Sequence, residues 1–298
     1  MPKKGKIMFV SLNRVVALWS TFLVVASLIG AGLPAASRAH EKTVIAIYND
    51  TFCENKGVWR DGIIAIKAML NKYGYSHQDI TPDEINSANT LHKRFKIILF
   101  PGGWAGAYNA HIKTAGFRNL RTFVSYGGGF FGICAGAYFA CDVITWKPDA
   151  NAPEERYDYP LNLFEGTGKG VLPGVKDWTA ATGCASITRG ASMVRVKIDN
   201  HILPIEDPCL KMLYYGGPSF KPFPKGGQTK TLQVAATYMV PGTPADGMPA
   251  MIFFPYGKGK VFLSGIHPEI SLDDCTLHYD EKTWKLMNAI ISLLLGKE

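Results

Sequence analysis

The chain has 298 residues, of which 47% are hydrophobic and 19% charged, with 32 Lys and Arg against 24 Asp and Glu. That is material for one large domain or two small ones with an ample core, and the composition argues for neither disorder nor a repeat array. Five basic residues (Lys3, Lys4, Lys6, Arg14 and Arg38) and no acidic ones fall within the first 39 positions, so the remainder carries 27 against 24, a net charge of +3 that excludes nucleic acid from the expected partners.

Residues 1–39 are predicted to be a secretory signal peptide: a basic start, an apolar run over residues 15–33, and Ser37-Arg38-Ala39 with small residues at the two positions that set cleavage. A retained membrane anchor is the alternative, because the run is close to the ~20 residues that span a bilayer. Gly30, Gly32 and Pro34, which break a helix near its end, favour removal. The expectation is a periplasmic or secreted protein with no stable membrane insertion once the segment is gone, folded as a single domain over residues 40–298. Export implies an oxidising compartment in which the six cysteines can pair, and Cys184 with Cys209, both in a strand-rich stretch, is the expected bridge.

The first predicted strand is TVIAIYND (43–50), apolar on both faces. Residues 57–73 follow with Ile63, Ile66, Met69 and Leu70 near helical spacing, closed by Gly74. FKIILF (95–100) is a second buried strand running into Pro101-Gly102-Gly103-Trp104; residues 117–126 read as a helix and GFFGIC (129–134) as a third strand. Doubly apolar strands alternating with helices predict a mostly parallel sheet covered on both sides, an α/β three-layer sandwich. From about 147 to 224 the texture turns to Pro, Gly and Tyr with short alternating runs such as SMVRVKI (192–198). This strand-rich second half is read as antiparallel strands inserted into the core or extending its edge. TLQVAATYMV (231–240), AMIFFPYG (250–257) and KGKVFLSGIHPE (258–269) return to the core, and an amphipathic helix is predicted over Glu281–Leu295.

Ligands and catalytic groups gather at the carboxyl ends of parallel strands, and three motifs fall there. Gly132-Ile133-Cys134-Ala135-Gly136 has the G-x-C-x-G pattern of a nucleophile elbow, with glycines on either side to permit a tight turn that projects the thiol; a thiolate at the start of the next helix is also favoured by the helix dipole. In His267-Pro268-Glu269, extended backbone points residues two apart the same way, so Glu269 can orient one imidazole nitrogen while the other faces the sulfur. The glycine loop Pro101-Gly102-Gly103 can turn backbone N–H groups inward to join that of Ala135 as an oxyanion hole. Asp50, Cys53 and Glu54 lie just past the first strand at the same sheet edge, which makes Asp50 and Glu54 candidates for the substrate pocket, with Trp104 and Tyr138, and Cys53 a candidate resolving thiol. No cysteine or histidine spacing matches a zinc pattern, so neither metal nor cofactor is expected.

Cys134 in GICAG, the FPGG loop and HPE resemble the class I glutamine amidotransferase-like superfamily, which implies a flavodoxin-like sheet and a Cys-His-Glu triad. FPGGWAGAY, YGGGFFGICAGAYFA, LNLFEGTGKG and YYGGPSF, in this order, resemble the amidotransferase-like domain at the N-terminus of biotin-protein ligases. The resemblance implies Cys134 as nucleophile, His267 as base, Glu269 as its orienting partner, and Gly103 and Ala135 as oxyanion donors. Glutamine-using members usually carry Gln four residues after the nucleophile, where this chain has Tyr138. The expected function is therefore an exported cysteine hydrolase acting on a small-molecule or peptide amide through an acyl-thioester. The alternative is a non-catalytic binding or scaffolding domain that keeps the elbow and stacks a ligand on Trp104, Tyr108 and Tyr138.

Overall fold

The computed structural model describes residues 45–88, 90–224 and 227–297; the segment read as a signal peptide lies outside them. Buried apolar runs form the strands β1 (Ile45–Tyr48), β3 (Ile97–Phe100) and β4 (Gly129–Ile133), with the more polar β2 (His77–Ile80) beside them. Amphipathic stretches between them become α1 (Arg60–Lys72), α2 (Pro82–Ser87), α3 (Leu91–Arg94), α4 (Ala105–His111) and α5 (Thr114–Ser125). After β4 come α6 (Ala135–Ala140) and β5 (Cys141–Trp146), β6 (Glu155–Asp158), β7 (Phe164–Gly170), β8 (Ala191–Ile198), β9 (Cys209–Tyr215) and β10 (Ser219–Pro222). The remainder comprises β11 (Gln233–Met239), β12 (Pro249–Tyr256), β13 (Gly259–Ser264), the hairpin β14 (Ser271–Asp273) with β15 (Thr276–His278), and α7 (Glu281–Leu295).

The main sheet has nine strands in the order β2-β1-β3-β4-β13-β12-β11-β8-β9. Its first five are parallel neighbours, the doubly wound order with a switch point between β1 and β3. From β12 onward each strand runs antiparallel to its neighbour. The second half thus extends the edge of the core sheet, and β10-β7-β5-β6 make a separate four-stranded sheet. Strand alternation sorts the core into two layers. Ile45, Ile47, Ile97 and Leu99 pack with α1 and α7 on one face, and Ala46, Tyr48, Ile98 and Phe100 with α5 and α6 on the other. Each fully buried Ile, Leu or Phe among them contributes about 1.5–3 kcal/mol of hydrophobic free energy.

Local signals set the helix ends. Thr81 and Glu84 close a capping box before α2; Asp280 accepts from the N–H of Lys282 at the start of α7, and Gly296 ends that helix at φ 67°. Two expectations are corrected. The helix expected from residue 57 begins at Arg60, because Gly57 and Trp59 are taken by backbone bonds to Trp104 and Gly102. The expected Cys184–Cys209 bridge is replaced by Cys184–Cys275, with Cα atoms 4.9 Å apart. Cys209 is exposed in β9, held in register opposite Lys197 of β8, whereas the loop carrying Cys184 docks on the β14–β15 turn, where the Ser186 hydroxyl donates to the Cys275 carbonyl at 2.8 Å.

Candidate active site

The carboxyl ends of β3, β4 and β13 bring the three motifs to one point. Cys134 follows β4 with φ 50° and ψ −104°, a conformation non-glycine residues rarely adopt. It is held there by its own N–H donating to the Ser264 carbonyl at 2.8 Å and by its carbonyl accepting from Ala137 and Tyr138, both at 3.0 Å. The flanking glycines serve close approach: a Cβ on Gly136 would lie 2.1 Å from the Phe100 carbonyl oxygen, and one on Gly132 2.6 Å from the Gly136 carbonyl oxygen. Strained backbone held by its surroundings is characteristic of functional turns.

His267 and Glu269 leave β13 through a turn fixed by Ser264, whose hydroxyl donates to the Ile266 carbonyl at 2.6 Å. Both side chains are fully buried, and His267 Nδ1 is 2.8 Å from Glu269 Oε1. Nε2 of His267 meets strict hydrogen-bond geometry with no group among the described residues, although the Cys134 sulfur is near enough to act on the ring, so the orienting bond fixes one nitrogen and leaves the other facing the thiol. Edge-on contact with Trp59, ring centroids 5.2 Å apart, confines the imidazole from the side. The common point of the three motifs is Gly102. A Cβ there would meet His267 Cε1 at 2.5 Å and Cys134 Cβ at 3.5 Å, so this glycine is what lets the imidazole stand against the elbow. Burial by itself would push the imidazole down, but the Glu269 carboxylate and the Cys134 sulfur outweigh it and raise it to about 10.

Gly103, at φ 146°, bridges Val58, and a Cβ on it would lie 1.9 Å from the Gly57 carbonyl oxygen. Neither its N–H nor that of Ala135 donates to a backbone carbonyl among the described residues. Both residues line a cavity of about 460 Å³ above Cys134. The thiol is 5% exposed, and its sulfur is 3.5 Å from the Tyr215 carbonyl oxygen.

Of the expected pocket residues, Trp104 and Tyr138 do line this cavity, though the Tyr138 hydroxyl is committed to the Gly216 carbonyl at 2.9 Å. Asp50 and Glu54 do not line it. The chain doubles back after β1, so the buried Asp50 carboxylate accepts from the N–H groups of Gly57 at 2.8 Å and Val58 at 3.0 Å and supports the Gly103 loop from behind. Glu54 is exposed and contributes only its carbonyl, to His111. Tyr108 is buried too, its hydroxyl donating to the carbonyls of Pro101 and Gly102. Burial, with the carboxylates of Asp50 and Asp83, raises the Cys53 thiol, and Cys53 is not among the residues lining the cavity at Cys134. Sequence reasoning missed Gly102 as the contact point and the aromatic wall of Trp146, Trp178 and Tyr215, of which only Tyr215 lies in a quoted motif, YYGGPSF, and there without a role. Among the described residues no group of three or more His, Cys, Asp or Glu is placed to hold a metal ion.

The family model described as "Biotin-protein ligase, N terminal" matches residues 43–297. A biotin–protein ligase of Schizosaccharomyces pombe is 30% identical over 220 residues, covering 70% of this chain but 32% of the ligase, so the chain spans about a third of that relative's length. Among solved structures, a putative ThuA-like protein from Bacteroides uniformis superposes with a TM-score of 0.51 at 14% identity, covering 90% of this chain and 97% of that one. A putative GMP synthase component from Thermoplasma acidophilum gives 0.50 at 9% identity, covering 86% and 96%. These likenesses carry the fold alone, which is amidotransferase-like.

Proposed function

Starting from a chain that belongs to the biotin-protein ligase N-terminal family, we propose that it is a cysteine hydrolase that cleaves an amide through Cys134, His267 and Glu269. The observation that carries this reading is the shared contact at Gly102, which places the His267 ring and the Cβ of Cys134 around one small space while Glu269 holds the far side of the imidazole.

In the proposed reaction the thiol proton has already passed to Nε2 of His267 when the sulfur attacks the amide carbonyl carbon, and the oxygen gains negative charge. The N–H groups of Gly103 and Ala135 receive that oxygen. Collapse of the tetrahedral adduct breaks the C–N bond, and His267 returns its proton to the departing amine, leaving an acyl-thioester. Water, deprotonated by the same nitrogen, then attacks the thioester and releases the acid and the thiol. The raised imidazole suits the protonated half of this cycle, since the Glu269 carboxylate stabilises the imidazolium. The Cys184–Cys275 disulfide supports an extracytoplasmic setting, because such bonds persist in oxidising compartments.

One observation favours a binding reading instead: the thiol is nearly buried and within 3.5 Å of the Tyr215 carbonyl. Thiol chemistry separates the two. Alkylation by iodoacetamide, followed peptide by peptide, should modify Cys134 at pH 6 faster than the exposed Cys209 if His267 activates the sulfur. Cys134→Ala should abolish amide turnover with an unchanged circular-dichroism spectrum; amidase activity that survives in this variant sinks the hydrolase.

A further inference from the structure

The cavity above Cys134 has a one-sided chemistry. Its walls include Trp104, Tyr138, Trp146, Tyr157, Trp178 and Tyr215, and its lining contains the single carboxylate of Glu155 and no lysine, arginine or histidine among the described residues. A bound carboxylate or phosphate would find no cation in that lining, since the His267 imidazolium is fully buried, bonded to Glu269 and not part of it, and burying an unpaired anion is costly. An ammonium group would find both a counter-charge and aromatic faces, the two features by which proteins hold organic cations.

The register of the second sheet builds this arrangement. β6 is an edge strand exposed along its length, and Glu155 and Tyr157, two residues apart, point the same way. They lie opposite Trp146 and Ile144 of β5, and all four line the cavity. The Tyr157 hydroxyl donates to the Glu155 carboxylate and tethers it at the mouth. Trp178 is already occupied: it stacks on Tyr215 with centroids 5.2 Å apart, and Arg189, outside the lining, lies over its ring at 5.5 Å. Trp104, 63% exposed, and Tyr157, 44% exposed, are the faces a ligand can cover.

From this cavity we infer that the substrate carries a cationic group, a primary or quaternary ammonium, beyond its scissile carbonyl, bound between Glu155 and the rings of Trp104, Trp146 and Tyr157. The inference rests on the cavity being the substrate site of the hydrolase proposed above. A free γ-glutamyl group, with its α-carboxylate, fits the lining less well than an amide bearing an amine alone.

Two measurements on the full chain test it independently of turnover and through it. On Cys134→Ala protein, calorimetry should show benzyltrimethylammonium binding at least about tenfold more tightly than phenylacetate. Glu155→Gln, an exposed position where the fold is not at stake, should narrow that ratio several-fold. On the unmodified chain, three matched 4-nitroanilides (6-aminohexanoyl, hexanoyl and adipoyl) should be hydrolysed in the order ammonium, neutral, carboxylate. Equal or tighter binding of phenylacetate, or an unchanged ratio in Glu155→Gln, overturns the inference. If all three anilides are inert while the cation preference holds, the hydrolase reading fails and the cation site stands. Hydrolysis led by the adipoyl compound does the reverse, overturning the cation site and keeping the hydrolase.

Discussion

Gly102→Ala is the sharpest probe of the proposed Cys-His contact. The residue has an ordinary backbone φ, so a methyl group brings no torsional strain; its whole effect is steric. The added Cβ would lie 2.5 Å from His267 Cε1, and ordinary contact begins at 3.4 Å, so the ring must retreat by roughly 0.9 Å. It has little room, being fully buried, bonded to Glu269 at 2.8 Å and set edge-on to Trp59. Overpacking of this kind costs about 1–3 kcal/mol of stability, which the fold should survive. A displacement near 1 Å in a catalytic pair costs on the order of 100-fold in rate. The assay is the second-order rate of Cys134 carbamidomethylation at pH 6 beside hydrolysis of hexanoyl 4-nitroanilide, with Cys209 labelling as the internal control. Both Cys134 rates should drop together while Cys209 is unchanged. A folded Gly102→Ala protein with wild-type Cys134 reactivity would mean that the imidazole does not act on the sulfur, and the mechanism built on it would be wrong.

Glu269→Gln removes the carboxylate that raises His267 while burial still pushes the imidazole down, so its proton is lost at lower pH. The alkaline limb of kcat/KM for hexanoyl 4-nitroanilide, expected near pH 10 in the unmodified chain, should move down by at least a unit, with a loss in kcat on the order of 10³-fold; an unmoved limb refutes the assignment. By linkage, the protonated imidazole stabilises the fold fully below its ordinary value of 6.5, and this is lost as pH rises towards about 10. The Cys184–Cys275 bond spans 91 residues, for which loop closure sets a ceiling of about 4.6 kcal/mol. The Cys184→Ser/Cys275→Ser double variant should melt roughly 5–15 °C lower in differential scanning fluorimetry, and equal melting temperatures would refute a stabilising role.

The parallel half of the fold was legible because both of its signals are local. Doubly apolar runs such as Ile97–Phe100 state their burial in four residues, and Gly132 and Gly136 state the turn around Cys134. His267 and Glu269 could be paired on paper because two extended residues share a face, so a spacing of two already implies the 2.8 Å contact. Asp50 shows where such reasoning stops. Its position just past β1 puts it at the carboxyl edge of the sheet, but the reversal of the chain over residues 50–58 turns its carboxylate onto the N–H groups of Gly57 and Val58.

The pocket wall was illegible for a related reason. Tyr215 reaches Cys134 from 81 residues away, and Trp146 faces Glu155 only through the register of β5 with β6, which no periodicity announces. Glycines mark one long-range crossing without naming the partner: a Cβ on Gly217 would lie 2.1 Å from the Gly265 carbonyl oxygen, and one on Gly265 1.9 Å from that of Pro218. In sequence, Gly216-Gly217 reads as a turn. In space it is where the strand carrying Tyr215 passes backbone to backbone under the segment leading to His267. A side chain at either glycine would drive these segments apart and carry the aromatic wall away from the imidazole, so the proposed binding and the proposed chemistry depend on the same close crossing.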